Sequence, residues 1–437
     1  MKKKISLNKM AQVLFVLYAF YTLLPYFTWN TFFHGILGEA FGMQYSTGFA
    51  TLAIIITLIF YSKGRIKISF SLFIAFIIPL FTICFSGGFE HIFSFEWIPY
   101  LVVFSFITMT LDDQNSVYRI YKRIIVISLI IPIIIYLLGV LNIEIAYTRL
   151  ESYEPIKQAG GTYYKLYYFA VNRVSRSLSD FGIRKLCGIF DEPGRVGTMC
   201  GLLLASDRVK IKNNWDNIIL FVAGVLSFSL SFYLIIAIYL FAANVQRLNA
   251  KSIAALVVLV LGYILFINYK FSNPDIAAFQ QRFFIAGNVL AGNNRTNIYY
   301  ETIIDDFHNS GFWKVLFGNG AGSMSRIQSR LLVDGYSYKN LLYDYGYVGF
   351  GIQIFWLFVF TFENFLMKKD IKKEKYHIIA LLIVYLANMY QRPSMMSFQF
   401  LLIFIGGLND SYTQEDTDCR FANKKMSRRL IYEKTKA

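Results

Sequence analysis

Two neighbouring carboxylates, Asp191 and Glu192, stand ahead of Pro193-Gly194 and a cation, Arg195, at the mouth of an apolar segment in the stretch GIFDEPGRVGTMCG (188–201). Aliphatic sequence carries no chemistry of its own, so charges held at its boundary are the first place to look for function. A carboxylate in such a place can accept a hydroxyl proton, which makes Glu192 and Asp191 the general-base candidates, with Asp334 and Asp344 as alternatives. The planar fork of Arg195 suits phosphate oxygens, each charge-assisted hydrogen bond contributing about 1.5–3 kcal/mol. The plainer reading is that Arg195 pairs with Asp191 or Glu192 and closes a helix end. Arg282 and Arg295 invite the same two readings, with Asp275, Asp305 and Asp306 as their acidic neighbours. Arg392, in YQRPSMM, has no acid near it in sequence, which favours its meeting an anion. His34, His91, His308 and His377 form no metal-ligand spacing, and Cys84, Cys187, Cys200 and Cys419 form neither a disulfide framework nor a metal motif. No metal and no cofactor is expected.

The elements that would position these groups are apolar helices. The 437 residues are 56% hydrophobic, 18% aromatic and only 16% charged, and they divide into long apolar runs separated by basic clusters. Runs at roughly 10–29, 46–62, 68–86, 97–111, 124–143, 189–206, 216–230, 231–245, 252–267, 337–362, 377–391 and 394–408 predict an all-α polytopic membrane protein of about twelve transmembrane helices. The region 216–245 is read as two passes, because Arg247 and Lys251 then join the cytoplasmic charges.

With that choice the segments 1–9, 63–67, 112–123, 207–214, 246–251, 366–375 and the tail face the cytoplasm and hold 27 of the 43 Lys and Arg residues, while the short outer loops 30–45 and 87–96 hold none. The net charge of +16 is therefore a record of topology, and nucleic acid is not expected as a partner. The chain divides into five helices in 1–143, an outer loop at 144–188, four helices in 189–267, a large outer loop between spans 9 and 10 at 268–336, three helices in 337–408 and a polar cytoplasmic tail at 409–437.

In the first loop, 163–186 places Arg173, Arg176, Asp180 and Arg184 at intervals of three and four, which predicts an interfacial helix with those charges on one face. Its tyrosines are read as interface anchors or as platforms for sugar rings. In the second loop, Asn294 or Thr296 is expected to cap a helix through IYYETIIDDF that Gly311 ends, and FGNGAG (317–322) to form a tight turn. That turn lacks the strand and the lysine that a nucleotide fingerprint needs. A transfer reaction on the outer face must then use an energised donor delivered through the membrane, which points to a lipid diphosphate.

The chain resembles the Wzy-type O-antigen and capsule polymerases of the O-antigen ligase and polymerase superfamily. The residues that carry the likeness are FDEPGRVG (190–197), NNRTNIYYETIIDDF with LFGNGAG (293–322) and SYKNLLYDYGYVGF (337–350), together with the twelve-span plan. The resemblance implies a metal-independent glycosyltransferase of the cytoplasmic (inner) membrane. Its active site would face the periplasm or exterior, and a growing glycan would pass from undecaprenyl diphosphate to the non-reducing end of a lipid-linked repeat unit. On that reading Arg195, Arg282 and Arg295 hold diphosphates, Arg173, Arg176 and Arg392 are further substrate contacts, and Glu192 or Asp191 activates the acceptor hydroxyl. Membrane lipids are partners, and a chain-length regulator is an admissible one. Ligases of the superfamily carry a histidine just before the tenth span, where this chain has Gly335-Tyr336. The alternatives are an O-antigen ligase and, in a different class, an exporter of lipid-linked oligosaccharide. An exporter is disfavoured by the near absence of charge from the middles of the spans.

Overall fold

In a computed structural model, the structure describes residues 7–22, 69–85, 98–143, 145–151, 158–159, 161–167, 170–174, 185–245, 264–266, 268–270, 280, 285–286, 289–290, 298–333, 335–367, 374–390 and 392–409. The chain is mostly helical, and two helices, Leu111–Val140 and Lys339–Leu366, are long and apolar enough to cross a membrane. The central helix, α5 (Pro193–Ser206), starts with Pro193, whose fixed φ suits a first turn, and is buried from Val196 to its end. Its Pro193 end is called the rim and its Ser206 end the foot.

Polar contacts fix the direction of each neighbouring helix. At the foot, α4 (Leu111–Val140) begins on a reciprocal cap in which Thr110 Oγ1 accepts from the Asp113 N–H and donates to its carboxylate. One turn on, Tyr118 meets Ser206 at 2.5 Å, and Lys122 pairs with Asp207 just past the end of α5. Gln12 of α1 (Leu7–Tyr21) donates to Asp113 at 2.8 Å, and Glu363 accepts from the first N–H groups of α2 (Phe70–Phe85). The end of α3 (Ile98–Ile107) is held by Gln114, which donates to carbonyls of Phe106, Ile107 and Met109.

The region 216–245 folds as two helices, α6 (Trp215–Leu226) and α7 (Leu230–Asn244), broken at Ser227-Phe228-Ser229. Asn214 caps α6 at the foot, where Asn217 accepts from Lys122 at 3.0 Å. The break lies at the rim against Gly197, where an added β-carbon would run into Ser229. Further on, Tyr239 of α7 meets His377 at 2.6 Å near the foot. The two arms are antiparallel, the arrangement that a pair of passes requires.

The small strands β4 (Ile285–Ala286) and β5 (Val289–Leu290) pair with each other, and the helices α8 (Ile298–His308), α9 (Phe312–Phe317) and α10 (Ser323–Leu331) then lead to α11 (Lys339–Thr361). The helical patterning expected in 268–336 is present, but α8 ends at His308, and Gly311 precedes α9 instead of ending α8. The fold closes with α12 (Lys375–Met389) and α13 (Phe398–Asn409). Thr22 meets Gln399 at 3.1 Å at the rim, and Asn409 donates to Gln114 at 2.7 Å at the foot. Among the described residues, α1, α2, α4, α6 and α12 run from foot to rim, and α3, α5, α7, α11 and α13 return.

One continuous apolar core joins these helices, with Trp356 of α11 fully inside and donating to the Ser71 carbonyl at 3.1 Å. Large apolar side chains also point outward: Phe73, Phe76 and Leu80 on α2, and Ile127, Ile130, Ile134 and Leu137 on α4, are all at least 40% exposed. A bundle that is apolar outside as well as inside suits a hydrocarbon solvent.

Two expectations are corrected. The segment 112–123 is not a separate loop, since it forms the first turns of α4. Nor does the interfacial helix expected over 163–186 begin at 163, and the later part of that segment, 175–184, lies outside the described residues. Its first part makes strands β2 (Tyr163–Tyr167) and β3 (Ala170–Val174), which with β1 (Thr148–Glu151) form an antiparallel sheet in the order β1-β2-β3. The period of two in YYKLY wins over the spacing of the arginines: Tyr164 and Leu166 turn inward onto Leu150 and Val171, and the residues between them stay half-exposed.

Candidate functional site at the rim of α5

The chain reaches α5 through a turn that the sheet holds in place. The Val171 N–H donates to the Gly188 carbonyl at 2.8 Å, and Phe190 N–H to that of Cys187 at 3.0 Å. Burial pushes the Cys187 thiol up to about 12, so this cysteine is a packing residue and no nucleophile.

Beyond the turn, the two carboxylates have different surroundings. Asp191 is buried, its side chain only 4% exposed, and its Oδ1 lies 3.1 Å from Arg195 Nε one helical turn ahead. Glu192 takes the extended N-cap conformation but makes no side-chain cap bond. Its carboxylate, 21% exposed, lies 3.8 Å from Arg173 Nη1 on β3, a looser pairing.

A third guanidinium arrives from the other end of the sequence. Arg392, between α12 and the 3-10 turn Pro393–Met396, is buried and donates from Nε to Thr198 Oγ1 at 2.9 Å. Thr198 donates to Ser231 Oγ at 3.2 Å, and Ser231 and Ser229 are 2.8 Å apart, which makes a buried chain of hydroxyls at the break of the α6–α7 hairpin. Arg195 and Thr198 stand three residues apart on α5 and share a face. Arg173, Arg195 and Arg392 thus lie along the N-cap and first two turns of one helix, whose leading N–H groups and dipole add further positive potential.

The described parts of the second and third blocks of the resemblance interlock with each other beside the same rim. Tyr300 on α8 donates to Asn340 at 2.6 Å and meets Ser337 at 2.8 Å, and Lys339 pairs with Glu301. Burial raises the Tyr300 phenol above its ordinary value and keeps it a neutral hydrogen-bonding group. The FGNGAG turn forms as expected and packs against α11. Gly318 and Gly346, both with positive φ, approach so closely that a β-carbon on either would collide with backbone of the other segment. Asp344 accepts from the N–H groups of Gly322 and Met324 at 3.1 and 2.7 Å, so this alternative base is a clamp for the start of α10. Tyr338 stacks on Tyr390 and donates its N–H to the Tyr390 carbonyl, two residues before Arg392. The α8–α11 layer is thereby joined to the arginine at the site.

Of the residues singled out in sequence, Arg173, Asp191, Glu192, Arg195 and Arg392 come together here. Arg176, Arg282, Arg295 and Asp334 lie outside the described residues. Thr198, Ser229 and Ser231 were not anticipated. The signal for them was the SFSLS interruption (227–231) of an otherwise apolar run. On the far side of the Val171–Gly188 bond, a cavity of about 350 Å³ opens between α4 and the sheet, lined by Lys165, Lys185, Tyr136, Tyr147 and Asn172 among others. Among the described residues no group of three His, Cys, Asp or Glu side chains is placed to hold a metal ion. Two tyrosines in and beside the sheet carry cations over their rings: Arg149 lies 4.3 Å over the Tyr163 ring, and Lys165 4.5 Å over that of Tyr147. Three guanidinium groups against two carboxylates, one of the latter reachable, can grip an anion and take a proton beside it. No protein-family model, curated protein or solved structure matches this chain.

Proposed function

We propose that the protein is a multi-pass glycosyltransferase of the cytoplasmic membrane, a polysaccharide polymerase that uses lipid diphosphate-linked glycans on the outer face. On this reading the chain crosses the bilayer twelve times with both termini in the cytoplasm, and the rim of α5 is the outer boundary. The observation that carries the proposal is the placement of Arg173, Arg195 and Arg392, from three separate segments of the chain, along the N-cap and first two turns of α5.

The chemistry follows from the division of labour between the two acids. The bond between the donor sugar's anomeric carbon and the diphosphate oxygen breaks as a bond from that carbon to the acceptor hydroxyl oxygen forms. The hydroxyl proton passes to Glu192, and the electron pair leaves with undecaprenyl diphosphate. Charge that develops on the leaving diphosphate is met by fixed guanidinium groups in a water-poor site, where such donors contribute most. Asp191, buried against Arg195, holds that arginine in place, which leaves Glu192 as the base.

The test is deletion of the gene and complementation with Arg195→Lys, Arg392→Lys or Glu192→Gln, followed by electrophoresis of the surface glycan. A polymerase defect leaves one repeat unit per anchor. Absence of any exported glycan would instead indicate an exporter, and long unattached polymer a ligase. Normal chain lengths in all three variants at normal protein level would refute the site. A reporter fused at Asn249 is expected to read cytoplasmic.

A further inference from the structure

The foot of the bundle carries a second charged cavity that the rim chemistry does not use. It measures about 510 Å³ and is lined by Tyr118, Arg119, Lys122 and Arg123 from α4, by Ser206, Asp207, Arg208 and Lys210 around the end of α5, and by Asn214 and Asp216 at the start of α6. Five cations face two carboxylates. Each carboxylate already has a partner, Asp207 in Lys122 and Asp216 in Arg123, and a third acid, Glu374, reaches Arg208 at 2.6 Å. Among the described residues, the five cations of the lining outnumber these three acids by two.

The geometry points to a binding site for a phosphate group in this cavity, with the head-group phosphodiester of an anionic lipid as the source that its position fits best. The fork of Arg119 and the ammonium of Lys210 supply donors from two sides, and the hydroxyls of Tyr118 and Ser206 stand at its wall. Trp215, 77% exposed, sits between the lining residues Asn214 and Asp216, and an exposed indole at the end of an apolar helix belongs at the level of lipid head groups. Basic cavities between apolar helices are recognised lipid head-group sites. The inference concerns the end of the molecule opposite the rim, so it stands or falls independently of the glycosyltransferase reading.

The experiment uses the purified full-length protein in a non-ionic detergent, titrated with dihexanoyl phosphatidylglycerol, dihexanoyl phosphatidylcholine or inorganic phosphate and followed by calorimetry and tryptophan fluorescence. Phosphatidylglycerol is expected to bind at least about tenfold more tightly than phosphatidylcholine, and the Arg119→Gln/Lys210→Gln variant to lose that preference. Inorganic phosphate that binds as tightly as phosphatidylglycerol supports the site and assigns it to a free phosphate. Equal affinity for the two lipids together with no phosphate binding overturns the inference, as does a double variant that binds like the wild type. If the double variant melts at lower temperature than the wild type, the decision passes to wild-type salt dependence: affinity for phosphatidylglycerol should fall as sodium chloride rises, and a flat response overturns the site.

Discussion

At the rim of α5, Glu192 stands 3.8 Å from Arg173, Arg195 is one-third exposed, and Arg392 donates to a threonine. At the foot of the same helix, Lys122 meets Asp207, Arg208 meets Glu374 at 2.6 Å, and Tyr118 meets Ser206 at 2.5 Å. Both ends are charged, but the ion pairs that tie α4, α5, α6 and α12 together at the foot are close, whereas at the rim Glu192 is paired at a longer distance and three guanidinium groups stand near two carboxylates. Tight pairing fixes helix register and orientation. Loose pairing keeps groups available to something that is not part of the chain. The comparison teaches that how a charge is partnered, more than how deeply it lies, separates a brace from a site.

That contrast can be broken by substitution. The largest effect is expected for Glu192→Gln, which should lower turnover by about 10²- to 10⁴-fold in a polymerisation assay while shifting stability by less than about 0.5 kcal/mol, because the carboxylate makes no cap bond. A fall in melting temperature that matched the loss of activity would make Glu192 a brace like those at the foot. Next comes Gly346→Ala, where the positive φ and the approach of Leu316 and Gly318 combine strain with collision. About 3 kcal/mol of destabilisation is expected in a thermal melt in detergent. Glu374→Gln should cost about 1–3 kcal/mol at the foot and leave the chain length made by the folded fraction unchanged, a split that pulse-labelled glycan on a gel would read.

The smallest effect concerns Cys187. With its thiol raised to about 12 by burial, it stays protonated at pH 8 and should resist a maleimide that labels the exposed Cys84. Since the folded value is raised, stability gained from burying the neutral thiol is complete below about pH 9 and declines as pH climbs towards 12. Rapid labelling of Cys187 at pH 8 would mean that the turn beneath the sheet opens.

Much of the helical plan was legible because apolar runs announce themselves by composition. The split of 216–245 could be read from Arg247 and Lys251, and the cluster of Asp191, Glu192 and Arg195 from their adjacency. The sheet was not legible, since Arg173, Arg176, Asp180 and Arg184 have the spacing of a helical stripe while the tyrosines upstream alternate with a period of two, and over 163–174 the cross-strand pairing with Thr148–Glu151 decides for strands. Arg392 could be picked out only as a cation without a neighbouring acid. That it meets Thr198, 194 positions earlier in the chain, is a fact of packing that no local pattern encodes. Asp344 shows the converse: a motif acid that looked chemical in one dimension is used to cap a helix in three.

The three-stranded sheet has its own small nucleus of Leu150, Tyr164, Leu166 and Val171, separate from the helical interior, and it lends one wall, through Arg173, to the space above α5. A patch built this way is an exchangeable cassette. On the polymerase reading, its strands can be rewritten for a bulkier or differently charged glycan without disturbing the helices beneath, so changes of selectivity would be expected there first.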